Sequence, residues 1–111
     1  MSFNIKTIRT FDKRIKRLAK KYKSIRNDFI CFLGELRENP FIGSDLGNGV
    51  RKVRMAISDK GKGKSGGARI ITYVLKTDEN SGQVTLLTIY DKNEQESISA
   101  KEIGELLAEL E

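Results

Sequence analysis

The chain has 111 residues, of which 32% are charged and 38% hydrophobic, with a net charge of +6, one cysteine and no histidine. That length suits one domain with a modest core, and the residue counts exclude an internal disulfide, a cysteine-based metal cluster and an ordinary protein zinc site. No apolar run approaches the ~20 residues of a membrane span, and MSFNIKTIRTF lacks the apolar core of a secretory signal, so the sequence reads as soluble, cytoplasmic, metal-free and without a cofactor.

Phe3–Arg9 alternates Phe3, Ile5 and Thr7 with Asn4, Lys6 and Ile8, which predicts a short strand. Thr10 or Asp12 is placed to cap a helix. Apolar residues then fall at Phe11, Ile15, Leu18, Tyr22, Ile25, Phe29, Phe32 and Leu36, in alternating steps of four and three that define one helical stripe. Ser24 offers a second N-cap, so two helices over about 11–21 and 25–38 are expected. Cys31 lies beside the stripe and reads as a small buried apolar residue. Pro40 ends the second helix, and Gly43, Gly47 and Gly49 predict a loop.

Three strands are expected next. Val50–Ile57 places Val53, Met55 and Ile57 on one face, with Lys52 and Arg54 on the other. Arg69–Lys76 and Val84–Tyr90 are rich in β-branched and apolar residues, and the polar turn TDENSGQ joins them. Ser99 and Glu102 form a capping box, flanked by Ile98 and Ile103 as a hydrophobic staple. Ile103, Leu106, Leu107 and Leu110 supply the stripe of a last helix. The order β-α-α-β-β-β-α describes a compact α+β domain, a helical hairpin packed on a small, mainly antiparallel sheet.

Charge is distributed unevenly. Residues 1–26 carry ten lysines or arginines against Asp12 alone, and residues 51–76 carry eight against Asp59 alone. From residue 93 the sign reverses, with six glutamates against Lys101. Two basic blocks point to a polyanionic partner. On the first helix Lys13, Arg17 and Lys20 lie away from the apolar stripe and are candidates for nucleic-acid contact.

The second block contains SDKGKGKSGGAR at Ser58–Arg69, with lysines at Lys60, Lys62 and Lys64 separated by single glycines. Glycine lets backbone approach a ligand closely, and the lysines supply charge for phosphate. The run is not a nucleotide-binding P-loop, because Ser58 stands where the first glycine belongs and a strand follows instead of a helix. Its glycines predict a mobile wall beside the strands. Without histidine, phosphate chemistry falls to lysine and arginine. A lysine whose pKa is depressed by like charges can act as a base, and arginine's planar fork suits phosphate oxygens. Lys52, Arg54, Lys62, Lys64, Arg69 and Lys92 would meet if the three strands are neighbours, and Tyr73 and Tyr90 are candidates to stack on a base.

With RKVR on a strand, KGKSGGARIITY and LLTIYDKNE before a capped helix, nearly the whole chain resembles RelE/HigB-type toxins of bacterial toxin–antitoxin systems. The resemblance implies a microbial RNase-like fold and metal-independent cleavage of messenger RNA on the ribosome, blocked by a cognate antitoxin. It carries the family's basic strand pair onto Lys52 and Arg54, its arginine after the glycines onto Arg69, and its lysine after the last strand onto Lys92. The family's leaving-group arginine and stacking tyrosine correspond to Asn93 and Ser99. Lys92 or a loop lysine is therefore expected to take the acid role, and Tyr90 any stacking. A ParE-like inhibitor of DNA gyrase and a non-catalytic RNA- or ribosome-binding domain stay open as other readings.

Overall fold

The computed structural model describes residues 2–110. Its elements are β1 (Ser2–Thr7), α1 (Arg9–Lys21), α2 (Ile25–Glu38), β2 (Ser44–Gly47), β3 (Val50–Met55), a single 3-10 turn (Ser58–Lys60), β4 (Ala68–Lys76), β5 (Ser81–Asp91) and α3 (Ala100–Ala108). The strands form one sheet in the order β1-β5-β4-β3-β2. β1 is parallel to β5 and every other pair is antiparallel. The α+β class and the helical hairpin follow the sequence expectation. No helix among the described residues is long and apolar enough to cross a membrane.

One short strand was not expected. The segment after Pro40 contains β2, which turns into β3 through Asn48-Gly49. Both residues have positive φ, 55° and 84°, the backbone that a two-residue hairpin requires and that Asn-Gly adopts readily. The β2 residues are all exposed, which explains why no hydrophobic alternation marks the strand.

Period-two alternation gives the sheet two distinct faces. One face presents Val53 and Met55 of β3 with Ile70 of β4 and Ile89 of β5, and α1 and α2 cover it. Phe11, Leu18, Ile25, Phe32 and Leu36 from the predicted stripe are buried there. Cys31 is exposed instead of buried, because it sits one position off that stripe. The other face carries Val50, Ile71 and Tyr73, against which Ile103 and Leu107 of α3 pack near Val50. α3 does not reach the far end of this face, where Lys52, Arg54 and Arg69 lie.

The helix starts differ in part from expectation. Ser99 Oγ accepts the Glu102 N–H at 3.1 Å, completing the predicted cap of α3. The caps expected for α1 and α2 do not form: Thr10 and Asp12 lie inside α1, and Ser24 makes no side-chain cap. Ser24 is instead engaged by the 3-10 turn that follows β3. Its backbone N–H donates to Asp59 Oδ2 at 2.9 Å, and its hydroxyl accepts the Asp59 N–H at 3.0 Å. The same hydroxyl donates to Asp28 Oδ2 at 2.8 Å.

Candidate active site

The strand register brings the basic residues together. Arg54 pairs directly with Arg69, and Arg69 with Tyr90, so the three form a row across β3, β4 and β5. Lys52 lies two residues from Arg54 on the same face, opposite Ile71. At the end of β5 the Lys92 N–H donates to the Gly67 carbonyl at 3.1 Å, which places Lys92 at the mouth of the loop 58–67. Lys52, Arg54, Lys64, Arg69 and Lys92 all line one open cavity of about 490 Å³, together with Ile42, Gly43, Ser44, Val53 and Glu96. Five cations from four chain segments thus face a common space suited to a phosphodiester.

The cations are not equivalent. Arg69 is 5% exposed, and its guanidinium is occupied by backbone carbonyls of the loop. Nη1 donates to Lys64 O and Ala68 O, each at 3.1 Å, and Nη2 to Ser65 O at 2.9 Å. Burial, followed by the neighbouring Arg54 charge, lowers its pKa from the ordinary arginine value. Arg69 therefore folds the loop over the cavity edge while adding positive potential. Arg54 and Lys92 are exposed, and among the described residues neither has an ion-pair partner. Lys64 is half-exposed and pairs with Glu35 of α2, Nζ to Oε2 at 2.6 Å.

Where the glycines alone suggested a mobile wall, polar contacts tie the loop at several points. At its start the buried Asp28 accepts the Ser58 N–H at 2.9 Å and the Ser58 hydroxyl. Gly61 and Gly63 adopt φ of 66° and 63°, and at the loop's end Gly67 lies so close to Met55 O and Ile57 N that a Cβ would collide with them. Between these points stands the tie that sequence reasoning missed. Lys60 Nζ donates to Asp91 Oδ1 at 2.7 Å, with the side chains 6% and 0% exposed. Tyr22 Oη donates to Asp91 Oδ2 at 2.7 Å, and the Asn93 N–H to Oδ1 at 3.0 Å. Burial opposes charge on Asp91, yet the hydrogen bonds from Lys60, Tyr22 and Asn93 together hold its carboxyl below the usual range. The bond to Asp91, aided by burial, raises the Tyr22 phenol above its ordinary value.

The structure places the other expected nucleic-acid residues in differing surroundings. Lys60, expected to contact RNA, has its ammonium buried against Asp91. Tyr90, expected to stack on a base, is 4% exposed. Burial raises its phenol pKa, and among the described residues its hydroxyl has no hydrogen-bond partner. Tyr73 is half-buried and lines a different cleft with Leu75, Leu107 and Leu110, away from the basic cavity. Lys62 is exposed at the loop tip. On α1, Lys13 and Lys20 are exposed and make no ion pair among the described residues, whereas Arg17 is bound to Glu94 at 3.2 Å. Lys21 also reaches Glu94, and Arg14 reaches Glu102 at 2.8 Å, so the acidic tail neutralises part of the basic helix.

Sequence reasoning also missed Glu96, the acidic residue in the cavity lining, and the wall formed by residues 42–44. No local signal marks either; both reach the site through the β5–α3 and α2–β2 connections. Among the described residues no group of three His, Cys, Asp or Glu side chains is placed to hold a metal ion. The chain was also matched to a family model described as the RelE toxin of the RelE / RelB toxin-antitoxin system, and the match spans residues 8–109. That span takes in both helices of the hairpin, the basic cavity and α3, and it shows that the chain belongs to the RelE toxin family.

Proposed function

We propose that this chain is a metal-independent endoribonuclease that cleaves messenger RNA on the ribosome, and that a cognate antitoxin restrains it. The observation that carries the reading is the convergence of Lys52, Arg54, Lys64, Arg69 and Lys92 on one cavity in a chain without histidine. In the proposed reaction the ribose 2′-oxygen attacks the adjacent phosphorus, and the bond from phosphorus to the 5′-oxygen breaks. Products are a 2′,3′-cyclic phosphate and a 5′-hydroxyl. Lys52 receives the 2′-hydroxyl proton, Lys92 protonates the departing 5′-oxygen, and the Lys64 ammonium serves as a phosphate contact. Arg54 stabilises charge on the phosphorane, with Arg69 adding its field from beneath. Lys62 at the loop tip and Lys13 and Lys20 on α1 supply further contacts to RNA. Arg17 contributes there when an RNA phosphate displaces Glu94.

An antitoxin segment rich in carboxylates fits the same cationic surface by charge, which makes the cavity or α1 its expected footprint. The deciding experiment is toeprinting of a translated message with the purified protein. Ribosome-dependent cuts that disappear in Arg54→Ala and Lys92→Ala are expected. If those variants cut as the wild type does, the assignment of the cavity fails. If the protein inhibits gyrase supercoiling and leaves messages intact, the nuclease reading itself is wrong.

A further inference from the structure

Two acidic residues of α2 reach the loop 58–67, and they do so in contrasting ways. Asp28 and Glu35 lie two helical turns apart on one face of the helix. Asp28 is buried and holds the start of the loop through the Ser58 amide and hydroxyl, a fixed anchor. Glu35 holds Lys64 at 2.6 Å, but the two side chains are 41% and 52% exposed. An ion pair in that much water is weakly held and readily exchanged. Lys64 also lines both the basic cavity and the small cleft beside Glu35, so its side chain stands at the boundary between them. Its backbone is fixed, since its carbonyl accepts from Arg69 Nη1. A change of partner therefore needs rotation of the lysine side chain alone.

We propose that Glu35 sets the threshold for RNA by occupying the Lys64 ammonium until a substrate phosphate displaces it. The inference rests on the proposed RNA site and assigns it a specificity-determining residue that lies outside the cavity. Phosphate and carboxylate compete for one ammonium. An RNA held by few other contacts is outcompeted by the tethered carboxylate, whereas an RNA already aligned on Arg54 and Lys92 displaces it. Glu35 thereby favours strands delivered in register over free single strands.

The test is equilibrium binding of a short, labelled 2′-O-methyl oligoribonucleotide, which cannot be cleaved, across a range of salt concentrations. Glu35→Gln is expected to bind about two- to five-fold tighter, the range open to an exposed pair. Lys64→Met is expected to bind more weakly, with a salt slope shallower by about 0.7, corresponding to one lost phosphate contact on a single strand. The double variant should match Lys64→Met, because without the ammonium Glu35 has nothing to withhold. Glu38→Gln, which removes an exposed charge from the same helix without touching Lys64, should bind as the wild type does. An unchanged Glu35→Gln affinity overturns the proposal. So does a gain that persists with Lys64→Met or appears equally in Glu38→Gln, since either result means general charge repulsion. If Lys64→Met, Arg54→Ala and Lys92→Ala all bind as the wild type does, the RNA site fails and the threshold fails with it. If those three weaken binding and Glu35→Gln alone is neutral, the site stands and the role of Glu35 falls.

Discussion

Lys60→Met tests the buried tie between the loop and β5. In the folded protein Lys60 Nζ and Asp91 Oδ1 are 2.7 Å apart and almost wholly out of water. At an effective dielectric of about 20 the attraction at that distance is ~6 kcal/mol, of which desolvation of the two ions offsets a large part. Removing one partner of a buried pair typically costs about 3–5 kcal/mol, because the remaining charge is stranded. Tyr22 and the Asn93 amide still solvate Asp91 in the variant, which places the expected loss near ~3 kcal/mol. For a chain of this size that corresponds to a fall in Tm of roughly 12 °C. Urea and thermal unfolding of the purified protein measure it, and Lys60→Met/Asp91→Asn should recover much of the loss by leaving no stranded charge. The pH dependence has a definite sign. Asp91 has a lowered pKa in the folded state, so its stabilising contribution is present above the unfolded carboxylate value and disappears as pH falls through the folded one. The gap between wild type and Lys60→Met should therefore narrow as the pH falls from neutral to below the ordinary carboxylate range. A loss below about 1 kcal/mol at neutral pH, or a gap that does not narrow in acid, would refute the reasoning.

Other substitutions probe the neighbouring features. Tyr90→Phe removes a buried hydroxyl that has no partner among the described residues, so stability should rise by about 1 kcal/mol in urea unfolding while cleavage is unchanged; a large loss of cleavage would restore a role for the phenol. Ser99→Ala deletes the cap of α3 and should cost about 1 kcal/mol, read by the same assay. Arg69→Lys cannot bridge the Lys64, Ser65 and Ala68 carbonyls from one ammonium. It should keep the charge yet reduce toeprint cleavage by about 100-fold, as expected when a loop shifts out of register.

The parts of the fold driven by apolar periodicity were legible in the sequence. The stripe from Phe11 to Leu36 located both helices within two residues, and the β-branched runs located β4 and β5. The missed β2 has a different origin, since it is wholly exposed and is specified by its Asn48-Gly49 turn. That dipeptide is a hairpin signal in its own right, and reading the glycines as general flexibility concealed it. At the site, alternation along β3 correctly grouped Lys52 with Arg54. Burial was harder to foresee, because Tyr90 and Lys60 owe it to partners distant in sequence. Lys60 meets Asp91 across 31 positions, and Asp91 meets Tyr22 across 69. An aspartate after an apolar strand gives no hint of which cation will reach it.

The loop's composition explains why its anchors are polar. From Ser58 to Gly67 there is no apolar side chain, so hydrophobic burial cannot hold the segment in place. Fixing it requires hydrogen bonds and ion pairs, and the sequence supplies Ser58 and Asp59 for α2, Lys60 for Asp91, and backbone carbonyls for Arg69. The regular lysine spacing is then not three copies of one function. Left-handed turns at Gly61 and Gly63 reorient the chain between successive lysines, so that Lys60 is buried, Lys62 faces solvent and Lys64 faces the cavity. Substituting each in turn should separate three properties that the pattern alone merges. Loss of Lys60 acts on folding stability and loss of Lys64 on RNA affinity at the cavity. Loss of Lys62 acts on the exposed contact and attraction at the loop tip, which added salt screens.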